Sequence, residues 1–276
     1  MALNHIIILA LVQGATEFLP ISSSGHLTLV HALSALPDHG VRLDIALHSG
    51  TLLAVIVYFW RDIVAMLKGV PHIIGNRTSR EAHLTTIVMI ASVPAMIIGG
   101  ILFTSGAISY LRTAEIVAWA NIIFALPLWA ADKWGGDTTR LAHLPYRAAL
   151  LIGIAQICAF IPGASRAGVT IMAARALHIP RPEAARYSML LSVPLIAAFA
   201  TAQIIDLAAN FSAHQTIDPT LVSTLIWDIF IASILTALIA LASIHIFMKL
   251  IQKFSLAPFI LYRLTLGIAL LAILYI

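Results

Sequence analysis

Gln13-Gly-Ala-Thr-Glu17-Phe-Leu-Pro20-Ile-Ser22-Ser23-Ser24-Gly25-His26 interrupts an apolar chain with a carboxylate, a run of hydroxyls and an imidazole. A second interruption, Gln156-Ile-Cys-Ala-Phe-Ile-Pro162-Gly163-Ala-Ser165-Arg166-Ala-Gly168-Val-Thr170, adds a guanidinium. The apolar segments flanking each one are too short to cross a bilayer, which takes about 20 residues of helix. Proline removes a backbone donor from a helix, and glycine permits a sharp reversal. Residues 2–36 and 147–178 therefore read as two re-entrant helix–loop–helix hairpins. Irregular backbone is tolerated at membrane depth only inside protein or beside a wet cavity. Ionisable groups at that depth are expensive and point to function.

Working outward, 61% of the 276 residues are hydrophobic and 10% are charged, with a mean hydropathy of +0.98. Ordinary soluble domains carry about 25% charged residues, so lipid is the main solvent here. The formal charge of +4 resides in short connections, as loop charges of membrane proteins do, and does not suggest nucleic acid. The single cysteine, Cys158, excludes an intrachain disulfide and a cysteine-based zinc site. No basic region precedes the first apolar run, so Met1 onward reads as mature protein.

Six stretches are long enough to span: roughly 43–67, 84–104, 114–131, 184–206, 221–248 and 256–276. With the first hairpin entering from one side, the opposite side collects Arg61, Lys68, Arg77, Arg80, Lys133, Arg140, Arg147, Arg181, Arg186, Lys249 and Lys253. The first side keeps Arg42 and Arg112, and its later loop offers Asp206 and Asp218. This asymmetry makes the basic side cytoplasmic, with both termini periplasmic. The hairpins then enter from opposite sides and their tips can meet near the midplane. Pro20-Ile-Ser22-Ser23-Ser24-Gly25 echoes Pro162-Gly163-Ala-Ser165-Arg166-Ala-Gly168, and Ser92-Val93-Pro94 echoes Ser192-Val193-Pro194. The expected fold is thus a single all-α polytopic membrane domain. It has six full transmembrane helices plus two re-entrant hairpins in an inverted-topology repeat, with halves roughly 1–131 and 147–276.

The hairpin residues suit phosphoryl chemistry. Arg166 offers a planar fork of donors for phosphate oxygens, and the helix that starts after Gly163 presents free N–H groups to an anion. Ser165 and Thr170 add hydroxyls. Glu17 would repel phosphate unless a divalent cation, Mg²⁺ or Ca²⁺, bridged them. Gln13 lies one turn before Glu17 on the same face and could serve that metal. His26 stands three residues after Ser23, as a base for the hydroxyl or as an attacking group itself. Plainer roles exist for each. Glu17 and Arg166 could form a structural pair, Ser22 and Ser24 could cap the following helix, and His26 could be a bonded core residue. Asp44 and His48 could line the mouth or pair with Arg42, and Arg263 could snorkel or pair structurally.

These motifs are similar to those of the undecaprenyl-diphosphate phosphatase family, the bacitracin-resistance enzymes of the bacterial inner membrane. The resemblance rests on Gln13-x-x-x-Glu17 with Pro20, Ser22, Ser23, Gly25 and His26. It extends to Pro162-Gly163-x-Ser165-Arg166-x-Gly168-x-x-Thr170, to Tyr187-Ser188 and to Ser192-x-Pro194, and it covers nearly the whole chain. It implies hydrolysis of undecaprenyl diphosphate to undecaprenyl phosphate, recycling the carrier lipid for cell-wall synthesis. It also implies a divalent cation and a multi-pass protein whose site opens to the periplasm. Glu17 and Gln13 would serve the metal. Ser23 and His26 would be nucleophile and base in either order. Ser165, Arg166 and Thr170, with Ser22 and Gly163, would hold the diphosphate. Two departures stand out: Gln13 where some members carry a second Glu, and Ala167 where many carry Ser. Membrane lipid is the expected partner, and a homodimer is compatible with the pattern. The alternative function is a transporter or flippase of an anionic polyprenyl lipid, which needs the charge clamp but no nucleophile.

Overall fold

The computed structural model describes residues 3–33, 40–75, 79–111, 113–213 and 219–275. Arg77, Arg112 and Asp218, and the side chains of Arg42 and Asp206, lie outside the described residues. The described chain is helical and has no strand. Its helices are α1 (Leu3–Thr16), α2 (Ser23–Leu33), α3 (Gly40–Tyr58), α4 (Trp60–Ile74), α5 (Arg80–Ser105) and α6 (Ala114–Trp134). They continue with α7 (Tyr146–Gln156), α8 (Arg166–Ala176), α9 (Arg181–Ala213), α10 (Pro219–Leu250) and α11 (Ala257–Tyr275).

Five stretches among the described residues are long and apolar enough to cross a membrane: Arg80–Ser105, Ala114–Trp134, Arg181–Ile205, Trp227–Leu250 and Ala257–Tyr275. They match five of the six expected spans. The remaining one, 43–67, is not a single straight helix, because the chain bends by 86° between Leu43–Tyr58 and Trp60–Ile74. The local sequence accounts for the turn. From Trp60 onward the pattern becomes amphipathic, with Arg61, Asp62 and Lys68 set among Ile63 and Met66. Its apolar face rests on the main core through Ile63 and Met66, and Gly69 lets α4 approach α5 at Glu81 and Thr85. Such a stripe prefers to lie along a packed surface rather than cross lipid as a uniformly apolar rod. α1 and the segment Tyr146–Phe160 are shorter apolar helices. The chain is an all-helical, multi-pass membrane protein.

Large side chains point outward, with Leu238, Leu261 and Ile268 each at least 60% exposed, as expected where lipid replaces water. The interior centres on α8, whose Ala167, Val169, Ile171 and Ala174 are buried and which packs on α6, α7 and α9. Small residues permit these close crossings. At Gly153 on α7, for example, an added Cβ would collide with the Ala91 carbonyl of α5. Both Ser-Val-Pro motifs sit inside long helices, α5 and α9. Ser92 donates back to the Val88 carbonyl at 2.7 Å and Ser192 to that of Met189 at 2.5 Å.

A knot of charges ties the ends of α6, α8, α9 and α11. Buried Asp132 accepts from Arg181 Nε at 2.6 Å and from the Leu256 amide at 3.0 Å. Arg175 is 1% exposed. It donates to Asp137 at 2.6 Å and to the carbonyls of Gly135, Gly136 and Ile179 at 2.6–3.0 Å. Arg186 pairs with Asp62 and Arg140 with Glu183. His48 bonds the Asp44 carbonyl at 2.8 Å through Nδ1, which is an ordinary contact within one helix.

Candidate active site

Each motif folds by the same local device. Ser22 and Ser165 hold positive φ angles of 69° and 68°, a left-handed conformation that costs a residue with a Cβ about 1–3 kcal/mol. The hydroxyl of each accepts a backbone N–H three residues on: Gly25 at 3.2 Å for Ser22, and Gly168 at 3.1 Å for Ser165. Those bonds satisfy orphan donors at the starts of α2 and α8. The two loops therefore match with Ser22 opposite Ser165 and Gly25 opposite Gly168. This is one residue away from the register that counting from the prolines suggests. Gly163 has φ 98°, and a side chain there would also strike the Val117 carbonyl.

The loops touch each other. The Gly163 amide donates to Ser24 Oγ at 2.9 Å, and Ser24 shares a hydrogen bond with Ser22 at 3.0 Å. Arg166 Nη2 meets Glu17 Oε1 at 3.3 Å, with both side chains 9% exposed. The other oxygen, Glu17 Oε2, accepts from Gln13 Nε2 at 3.0 Å and from Ser23 Oγ at 2.9 Å. Arg166 also donates to the Ser188 carbonyl at 3.1 Å, and its guanidinium lies 5.7 Å from the Phe18 ring centre. Gln13, Glu17, Ser23 and Arg166 thus form one connected cluster.

The other candidates are placed less directly. Ser165 caps α8 within its own loop. Thr170 is buried, bonding the Arg166 carbonyl at 2.8 Å and Ser188 Oγ at 2.6 Å. His26 and Ser23 belong to the same helix but have different partners. His26 Nδ1 faces the Ser22 carbonyl at 2.8 Å, and Nε2 lies 2.6 Å from Tyr262 Oη on α11. The hydroxyl of Ser23 is directed at Glu17 instead.

The donors at the cluster are one carboxylate, one amide and one hydroxyl. No group of three His, Cys, Asp or Glu able to hold a metal occurs among the described residues. This set is too sparse for an all-protein cage, but it fits a hard cation that keeps water and phosphate ligands.

Residues 6–269 match the family described as Bacitracin resistance protein BacA. The chain belongs to this family. It is 41% identical over 273 residues to the undecaprenyl-diphosphatase of Maricaulis maris, covering 98% of each chain. It is 39% identical over 276 residues to that of Ruegeria pomeroyi, covering all of both. The undecaprenyl-diphosphatase of Hahella chejuensis is 41% identical over 274 residues, with 99% of this chain and 98% of that one covered.

Within this BacA-family chain, sequence reasoning missed three contributors. Tyr262 reaches His26 from 236 residues away, and no local spacing signals it. Arg263, the next residue, is fully buried and holds the Gly163 and Ala164 carbonyls at 3.0 and 2.9 Å. It neither snorkels nor pairs with a carboxylate in those bonds, but braces the second loop from behind. Ser188 supplies a carbonyl to Arg166 and a hydroxyl to Thr170. Its place after Tyr187 in the family pattern was the available signal.

Proposed function

We propose that this chain is an undecaprenyl-diphosphate phosphatase acting at the contact between its two motif loops. The observation that carries the reading is Glu17, which holds a serine hydroxyl on one oxygen and a guanidinium on the other. A hydroxyl bonded to a carboxylate is the arrangement a nucleophile and its base require. A buried ion pair contributes little net stability against a well-packed apolar alternative, so its presence here favours a functional use. Arg166 exchanges Glu17 for the oxygens of the diphosphate, where its fork of donors stabilises developing charge.

Ser23 Oγ attacks the terminal phosphorus and its proton passes to Glu17. The bond from that phosphorus to the bridging oxygen breaks, and undecaprenyl phosphate leaves. Water then attacks the phosphoserine with His26 as base. The Ser23 oxygen recovers a proton from Glu17, and inorganic phosphate departs. A divalent cation held by Glu17 and the amide oxygen of Gln13 would neutralise diphosphate charge when bound. Phosphoryl transfer asks mainly for such positioning and charge stabilisation.

The two loops are the tips of re-entrant hairpins in an inverted repeat, opening to the periplasmic side of a bacterial inner membrane with both termini periplasmic. The loop-charge asymmetry, the shortness of α1 and α7, and the shared serine cap in both loops support this arrangement. A membrane-depth site lets the polyprenyl tail stay in lipid while its diphosphate enters the polar cluster. No observation favours the transporter reading.

The deciding experiment is phosphate release from a polyprenyl diphosphate by purified protein, titrated with Mg²⁺ or Ca²⁺. Metal-dependent release is expected, with the metal response flattened in Glu17→Gln. Well-folded protein that releases no phosphate across lipids and metals would end this reading.

A further inference from the structure

His26 has no bare nitrogen. The Ser22 carbonyl, 2.8 Å from Nδ1, can only accept, so Nδ1 carries a proton and, in the neutral ring that a base must be, Nε2 carries the lone pair. Tyr262 Oη, 2.6 Å from Nε2, is then the donor to the neutral ring. The two rings lie within 7° of parallel with centres 5.4 Å apart, so packing as well as hydrogen bonding fixes the pair. Any proton that reaches the imidazole in this arrangement passes through the phenol. Tyr262 is 44% exposed, so the pair stands at the edge of the packed helices rather than sealed among them. Its neighbour Arg263 braces the other loop, so adjacent residues of α11 hold both loops in register.

We propose that Tyr262 relays a proton from the attacking water to His26. This rests on the phosphatase reading above, with His26 serving the water step. As the water oxygen bonds to the phosphorus of phosphoserine, a water proton moves to Tyr262 Oη and the phenolic proton moves to Nε2. The phosphorus–Ser23 bond breaks and the serine oxygen takes the proton held by Glu17. Tyr262 ends as neutral phenol, and the imidazolium later returns its proton to solvent. A phenol suits the task because its oxygen both donates and accepts.

The test is steady-state phosphate release by purified full-length Tyr262→Phe, which keeps the ring contact and loses the hydroxyl. Loss of a positioned proton-transfer group is expected to lower kcat about 10²-fold, with KM nearly unchanged. Fluorotyrosine at position 262, which alters phenol acidity with minimal change in packing, should shift kcat even if the Phe variant folds poorly. A Tyr262→Phe enzyme with wild-type kcat, or a kcat indifferent to fluorination, would overturn the relay. Wild-type protein that releases no phosphate would instead remove the phosphatase reading beneath it, so the two failures are distinct.

Discussion

Two buried charge clusters in this molecule are built on opposite principles. In the knot around Asp132, the carboxylate receives Arg181 at 2.6 Å and a backbone amide at 3.0 Å. Arg175 beside it makes four further bonds to a carboxylate and three carbonyls. At the loop contact, Arg166 meets Glu17 at 3.3 Å with one other hydrogen bond, to a carbonyl. The first cluster is densely bonded, although Arg175 Nε is left without a hydrogen bond, and it clamps four helix ends. The second leaves a loose pair beside the Ser23 hydroxyl. Many short bonds secure structure, whereas a guanidinium held by two longer ones can exchange partners.

The sharpest test of that contrast is Asp132→Ala. Removing one partner of a buried ion pair strands the other charge and costs about 3–5 kcal/mol. A fall in thermal midpoint is expected, with kcat per folded molecule unchanged. An unaltered midpoint would show that the knot does not hold the helix ends.

Arg166→Ala should behave in reverse. Losing a donor to developing charge commonly lowers the rate about 10²–10³-fold, and the melting transition should fall less than in Asp132→Ala, because Gln13 and Ser23 still bond the stranded Glu17. Normal turnover in that variant would break the comparison, because the loose pair would then be structural too.

The smallest effect is expected from Gln13→Glu. A second carboxylate one turn from Glu17 should move half-activation to lower Mg²⁺ concentration with a modest change in kcat. A metal titration superimposable on wild type would remove Gln13 from the metal site.

Much of this was legible in the chain. The length and purity of apolar runs made five spans readable, because a lipid-facing helix must be apolar nearly all round. Where the rule relaxes, at Phe59, the reading of 43–67 as one span missed a bend that depends on α4 finding a surface on α5. The cluster's members were readable as residue types, because a carboxylate and a guanidinium at membrane depth need a reason. Their bonding was not. Ser23 sits three residues from His26 in sequence, yet its hydroxyl goes to Glu17, and the imidazole goes to a tyrosine 236 residues away.

By itself, the sequence determined the class of solvent, the helical content, the two broken segments and the chemical inventory they carry. These follow from composition and from the local backbone limits of proline, glycine and serine. Only the tertiary structure decided which hydroxyl meets which carboxylate, what His26 Nε2 meets, and that Tyr262 and Arg263 brace both loops from one helix. Hydrogen bonds reach only about 3 Å, and helix packing alone brings residues so distant in the chain within that reach.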